Sequence, residues 1–456
     1  MMKVSDKPTA KPFLALGDSF RAGTDSPSAL LGRCFLAIDA REAELLVFTA
    51  INREGAMAAA EASSKRWREG RPLSPVDGMP VGVKDVIETR DMPTQMGSPL
   101  FAGHATGFDS ASVRALREAG AVIVGKTVTT EFAATEPGPT RNPWDTARTP
   151  GGSSSGSAAG VAAGYFCAAL GTQVVGSILR PASYCGVFGF KPSIGAINRG
   201  GSMDHMSQSA QGVLAATMAD GWAVLRAIAD RAGGDPGSPG LYGPASLPAA
   251  AKPRALALLE TTGWAETGEA ARAQLEGAAK RLRDAGIKVL TRRDSAEVES
   301  AEAALQRALL LTRKINAWES RWPLNTFSDR DASKLSQSMR ERLVEAEALT
   351  LEEYRSFIAE REKVRGICAR LGALADASIT LSAPAEAPVG IASTGNPVYV
   401  VPGTLLGVPV VSLPLLSCNG LPLGLQVIGY RDKDAELLAT AASIEAIVGT
   451  EMAVRA

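Results

Sequence analysis

The chain has 456 residues, enough for two ordinary domains or one large α/β domain with an insertion. It is 45% hydrophobic and 21% charged, as expected of a globular protein with a sizeable core. Its 48 Lys plus Arg balance 48 Asp plus Glu, which argues against a dedicated nucleic-acid binder and gives no reason to expect an anionic membrane as partner. Only two histidines occur, His104 and His205, so a multi-histidine metal site is nearly excluded and histidine catalysis has few places to sit.

In chain order, Met1 to Phe13 is polar and lacks the apolar run of a secretory signal. Residues of about 26–70 read as helical, and Glu54 to Glu69 is alanine-rich with a polar face, stopping at Gly70. Gly78 to Ile87 is β-branched and reads as a buried strand. Ser110 to Glu118 reads as a helix, Ala121 to Val124 as a strand, and Ser157 to Leu170 as a helix of small residues. Ala255 to Glu260, Ala270 to Ala285 and Lys288 to Leu290 repeat a strand–helix–strand rhythm. Such alternation predicts an α/β fold, with a large mixed β-sheet covered by helices on both faces.

Composition shifts at about residue 296. From there to about 372 the chain is charged and helical, punctuated by Trp318, Trp322, Phe327 and Met339, and predicts a helical insertion over the sheet. Ile379 to Pro384 and Val410 to Pro414 read as further strands and Asp434 to Ile447 as a closing helix. The division expected is one domain over 1–456. It has an N-terminal helical segment at 26–75, a core at 76–295, an insertion or lid at 296–372, and the rest of the core at 373–456. Two long stretches carry no charge, Gly151 to Leu179 and Ala387 to Tyr430. Gly and Ser in the first and repeated prolines in the second mark buried interior rather than membrane spans. The five cysteines, Cys34, Cys167, Cys185, Cys368 and Cys418, are odd in number and show no CxxC. A reducing, cytoplasmic setting is expected.

Gly120 to Thr127 matches the phosphate-loop pattern GxxxxGK[ST] letter for letter. A phosphate loop must curl its backbone N–H groups between a strand and a helix. Here the middle residues, Ala121 to Val124, are themselves the best strand nearby and follow a helix. Nucleotide binding is rejected.

The segment that carries chemistry runs from Thr149 through Gly151, Gly152, Ser153, Ser154, Ser155, Gly156 and Ser157 to Gly164. It continues through Gln173, Val174, Val175, Gly176 and Ser177 to Arg180 and Pro181. A Gly/Ser run alone is ordinary loop. This one is uncharged, joined to a small-residue helix, and returns to a second Gly-Ser pair. Backbone N–H groups in such a turn can converge on an oxyanion. With histidine scarce, a serine there needs another base. A buried lysine is available, because burial disfavours its charged form.

These residues resemble the amidase signature family of serine hydrolases. Gly82 to Asp85 looks like its catalytic-lysine strand, and Asn142 to Asp145 with Arg148 to Ser154 like its Gly/Ser signature. Gly176-Ser177 with Arg180 to Ala182 looks like the nucleophile segment, Cys185 to Pro192 like the strand after it, and Gly420 to Gln426 with Ile428-Gly429 like the C-terminal strand. The resemblance implies Ser177 as nucleophile, Ser153 as a bridging serine after a cis peptide bond, and Lys84 as base. It implies the N–H groups of Val174, Val175, Gly176 and Ser177 as oxyanion hole. A lysine base must have a pKa well below its usual value of about 10.4.

Two departures stand out. The family's Asp and two glycines before the nucleophile are here Gln173, Val174 and Val175, and its arginine two residues after is three after, Arg180. A modified pocket wall is expected, with any ion pair at Gln173 rebuilt or absent. Ser154, Gln173, Arg180, Trp318 and Trp322 are the candidate supporting or pocket residues, although the tryptophans also suit plain core. Ser154, Ser155 and Ser157 also suit loop or helix-capping hydroxyls, Cys185 suits core, and both histidines suit the surface. The resemblance implies no metal and no organic cofactor. It implies hydrolysis of carboxamide C–N bonds, with carbamate (urethane), anilide or ester cleavage as related activities. The substrate expected is a small neutral amide or carbamate, with no nucleic acid or membrane as partner and a homodimer left open. The alternative is the amidase subunit of a tRNA-dependent amidotransferase. Zero net charge and the altered segment at Gln173 to Val175 weigh mildly against it.

Overall fold

The computed structural model describes residues 8–203 and 205–449; the first seven residues of the polar N-terminal stretch lie outside it. Eleven strands form one sheet: β1 (Phe48–Ile51), β2 (Pro80–Lys84), β3 (Val122–Thr127), β4 (Ala168–Gln173), β5 (Phe188–Lys191), β6 (Ala210–Ala215), β7 (Ala255–Leu258), β8 (Lys288–Leu290), β9 (Ala377–Leu381), β10 (Val410–Cys418) and β11 (Leu421–Ile428). Their order is β1-β3-β2-β4-β6-β5-β10-β11-β9-β7-β8. β2 runs parallel to β3 and β4, and β7 parallel to β8 and β9. The remaining pairs are antiparallel, so the sheet is mixed, as expected.

The strands are apolar throughout because both faces are covered. Alternate side chains enter different cores. Val81, Val83 and Ile123 join one, while Val122, Val124 and Ala169 join the other. Small residues let helices sit close. A Cβ on Gly156 would lie 2.3 Å from the Val47 carbonyl oxygen, and one on Gly160 would lie 2.2 Å from the Phe166 ring.

Four helices, Ala296–Leu305, Ala308–Asp331, Gln337–Ala348 and Leu351–Ala369, occupy the charged segment. Trp322 breaks the second with extended ψ (129°) because Pro323 follows it. Among the described residues no helix is long and apolar enough to cross a membrane.

Three expectations need correction. The small-residue helix covers only Ser155–Ala162; Gly164 then turns with φ 70° and Ala168 starts β4. Ala and Gly fit helix and strand alike, so composition does not mark the boundary. The helical reading of 26–70 hides β1, which lies between the helices Pro27–Leu45 and Arg53–Arg68. The second uncharged stretch is not all interior: from 388 to 396 it is a surface loop, and Val389 is 71% exposed.

The apparent phosphate loop is strand, with Lys126 fully buried in β3. Its Nζ lies 3.3 Å from Asp85 Oδ1 and donates to the Ile87 carbonyl at 2.8 Å and to Thr94 Oγ1 at 2.5 Å. Burial pushes the Asp85 carboxyl up and the Lys126 amine down, each opposed by the other's charge. Lys126→Met leaves a buried carboxylate without its cation. We predict a loss of about 3–5 kcal/mol of unfolding free energy, measured by urea denaturation; an unchanged midpoint would refute this structural role.

Candidate active site

Parallel strands β2 and β4 end at the same side of the sheet, with Lys84 as the last residue of β2 and Gln173 as the last of β4. Ligand sites commonly form beyond such strand ends. Lys84 has no exposed surface. Its Nζ donates to Ser153 Oγ at 2.7 Å, to Thr172 Oγ1 at 2.8 Å and, more weakly, to the Thr172 carbonyl at 3.4 Å. The Gly152–Ser153 peptide bond is cis. Ser153 and Ser177 line one cavity of about 560 Å³, and the two segments are tied where Ser154 N–H donates to the Ser177 carbonyl at 3.2 Å.

The segment before Ser177 has its carbonyls fastened one after another. Ser209 Oγ donates to the carbonyl of Gln173 at 3.4 Å, Asn316 Nδ2 to that of Val174 at 3.1 Å, and Thr404 Oγ1 to that of Val175 at 2.8 Å. The Gly176 carbonyl accepts from Arg180 N–H at 3.1 Å. With the acceptors turned into the protein, the N–H groups of Val175, Gly176 and Ser177 have no protein acceptor among the described residues. Fixed donors of this kind are what an oxyanion hole requires. A Cβ on Gly176 would meet Val400 Cγ2 at 2.3 Å, so glycine is needed there, whereas Val174 and Val175 are accommodated.

Gln173 is wholly buried beneath this segment and is not part of the cavity wall, which corrects the expectation of a modified pocket wall at that residue. Its Oε1 accepts from the N–H groups of Ile178 at 2.8 Å and Leu179 at 3.0 Å. These begin the Leu179–Cys185 helix, whose first N–H groups have no intrahelical partner. Gln173 Nε2 donates to Thr404 Oγ1 at 3.0 Å, and Thr404 passes the chain on to the Val175 carbonyl. A neutral amide thus holds the segment without an ion pair.

Arg180 does line the cavity. It donates to the carbonyls of Gly152 and Gly395 at 2.7 Å each and to Thr394 Oγ1 at 2.8 Å. Burial pushes its guanidinium down to about 10. Ser154 stays behind the cavity, with Oγ 3.4 Å from the Thr172 carbonyl. Ser155 and Ser157 bond to the carbonyls of Val128 and Leu170. Cys185 is buried beside the Pro150 carbonyl, and burial pushes its thiol up.

The tryptophans do not form the wall. Trp318 stacks on Tyr354 with ring centroids 5.3 Å apart and carries the Arg321 guanidinium over its ring, while Trp322 is 65% exposed against His205. The helix turns their rings outward; Asn316, Ala317, Ser320 and Pro323 from the same helix face the cavity. His205 lines the rim. The residues missed from sequence are Thr172, Thr404 and Asn316. The one signal for Thr172 and Thr404 is a polar side chain within an apolar stretch, which does not reveal its partner; Asn316, within the charged segment, has none. Among the described residues no group of three or more His, Cys, Asp or Glu is placed to hold a metal ion.

A family model described as Amidase matches residues 30–438. The A subunit of glutamyl-tRNA(Gln) amidotransferase from Salinispora arenicola is 33% identical over 446 residues, covering 88% of this chain and 90% of that protein. Its counterpart from Chloroflexus aggregans is 43% identical over 215 residues, a match that spans 46% of this chain and only 44% of that protein. A solved structure described as an amidase superposes with a TM-score of 0.83 at 27% identity, covering 96% of this chain and all of the other.

Gln173→Ala removes the acceptor for two buried N–H groups at once. We predict a loss of about 1–3 kcal/mol in stability with a larger proportional fall in turnover than in substrate binding. Urea unfolding beside steady-state kinetics checks this; an unaltered variant would show that the segment holds itself.

Proposed function

The chain belongs to the amidase family, and on that premise we propose that it is a serine hydrolase cleaving carboxamide C–N bonds through an acyl-enzyme on Ser177. The observation that carries the reading is the 2.7 Å contact of Lys84 Nζ with Ser153 Oγ in the cavity that also holds Ser177. A neutral amine has two N–H donors and one lone pair. As it stands Nζ donates to Ser153 Oγ; once the amine is neutral, its two N–H groups can stay on Thr172 Oγ1 and the Thr172 carbonyl while its lone pair takes the Ser153 hydroxyl proton.

In the proposed reaction Lys84 takes the Ser153 proton as Ser153 takes that of Ser177. Ser177 Oγ bonds to the carbonyl carbon, and the N–H groups from Val174 to Ser177 stabilise the oxyanion. The proton returns through Ser153 to the leaving nitrogen as the C–N bond breaks. Water then adds to the acyl ester by the same relay, giving carboxylate and free Ser177. Carbamates, anilides and esters present the same carbonyl and fall within this chemistry.

A second reading is favoured by one observation, the match to the Salinispora arenicola amidotransferase chain over 90% of its length. In that reading the ammonia released here is passed to a partner chain. Hydrolysis of simple amides by the purified chain alone supports the stand-alone hydrolase; turnover that appears only with partner chains supports the second reading.

Ser177→Ala is expected to abolish acyl-enzyme formation, scored by mass spectrometry after incubation with an activated ester; a retained adduct would move the nucleophile elsewhere. Lys84→Ala is expected to lower kcat by roughly 100-fold or more, as loss of a general base does. A base that works only when neutral gives activity rising with pH, so the variant's kcat/KM should lose the acid limb of the wild-type profile. An identical limb in the variant would exclude the lysine.

A further inference from the structure

Much of the cavity wall comes from the helical segment 296–372, and the charges that line the cavity are unevenly satisfied. Three guanidinium groups face the cavity, those of Arg180, Arg313 and Arg342, against two carboxylates, Glu341 and Glu345. Both carboxylates are engaged, Glu341 by Gln337 Nε2 at 2.7 Å and Glu345 by Lys314 Nζ at 2.8 Å. Arg180 is spent on the loop carbonyls described above, and Arg342 donates to Ser320 Oγ at 3.1 Å and to the Asn316 carbonyl at 3.4 Å. Arg313 makes no ion pair or hydrogen bond among the described residues. Its charge is close enough to disfavour those of Arg180 and Arg342, although burial is the larger cause for each.

The position of Arg313 is fixed by its own helix. Asn316, one turn later, is bound to the Val174 carbonyl of the segment that leads to Ser177. Three residues rise about 4.5 Å along a helix, so Arg313 projects from an anchored turn into the cavity that also holds Ser177. Arg313 is exposed, so water solvates its charge, and an anion bound there would also relieve its repulsion with the other two guanidinium groups. Arginine's planar fork matches a carboxylate. Arg313 is the one guanidinium of the three without a protein partner among the described residues, and a single free guanidinium suits a monoanion better than a phosphate dianion.

We propose that Arg313 is a specificity-determining residue and that the substrate is an amide carrying a carboxylate, which the Arg313 guanidinium holds while the amide lies at Ser177. This deepens the amide-hydrolase reading and rests on it, and it replaces the neutral substrate expected from sequence with an anionic one.

The test compares two anilides differing at one end, glutaric acid mono-p-nitroanilide and its neutral carboxamide-capped analogue, in the wild type, Arg313→Gln and Arg313→Lys. Glutarate binding is followed by calorimetry in the same proteins. The wild type is expected to favour the acid by about tenfold or more in kcat/KM, the scale of one charge-assisted contact. Arg313→Gln should lose that preference through KM, change use of the acid far more than that of the neutral anilide and weaken glutarate binding to match, and Arg313→Lys should restore part of it. Equal use of both anilides by the wild type, or a preference that survives Arg313→Gln, overturns the proposal. Glutarate binding that depends on Arg313 without hydrolysis of either anilide supports the anion subsite and counts against the stand-alone hydrolase.

Discussion

The structure turns on an amine placed where no water reaches it. Lys84 ends a central strand with no exposed surface, and an ammonium in that position must be compensated or lose its proton. Its surroundings supply hydroxyls and a carbonyl, Ser153 Oγ, Thr172 Oγ1 and the Thr172 carbonyl, that suit an amine able to give and accept protons. Lys126, in the adjacent strand, is held differently. It has a carboxylate, Asp85, at 3.3 Å and serves the fold. The lysine proposed as base and the lysine that serves the fold thus lie on neighbouring strands, the first bonded to hydroxyls and the second beside a carboxylate.

The second requirement is that the donors near Ser177 stay pointed into the cavity when nothing occupies it. The structure meets it by holding the opposite side of the same peptides. Carbonyls from Gln173 to Ser177 are bound in turn by Ser209, Asn316, Thr404, Arg180 and Ser154. A peptide whose carbonyl is held cannot rotate its N–H away, so preorganisation comes from bonds outside the cavity. This explains why Val174 and Val175 are tolerated where glycines were expected. Backbone freedom is not what aims the segment.

How much of this was legible in the sequence follows from the range of each interaction. Strands such as β2 and β3 announce themselves by runs of apolar, partly β-branched residues, because burial on both faces leaves a local signature. β1 and β4 do not: β1 is four residues long between two helices, and β4 starts in alanines that also suit the preceding helix. Lys84, Ser153 and Ser177 could be marked because each lies in a patterned run. Thr404 lies 229 residues from the carbonyl it holds and Asn316 lies 142 from its own, and nothing local records either pairing. Trp318 and Trp322 misled because bulk and aromaticity say nothing about which side of a helix faces a cavity. Their neighbours Asn316 and Ser320 are the cavity side; helical phase separates Trp318 from them, and the break before Pro323 sets Trp322 apart.

Asn316 also joins the two halves of the problem. The helix that carries it belongs to the charged segment outside the sheet, yet its amide bonds to the Val174 carbonyl and its Oδ1 accepts from Gln208 at 3.0 Å. The wall that reads the substrate is therefore bonded to the backbone that would stabilise its oxyanion. A shift of that helix by a fraction of an ångström would move Arg313 and the Val174 peptide together. Substitutions in this wall should for that reason alter turnover as well as binding whenever they disturb the Asn316 turn, and binding alone when they do not. Arg313, exposed and without a hydrogen-bond or ion-pair partner among the described residues, belongs to the second class, which is why its proposed contribution is separable from the chemistry proposed at Ser177.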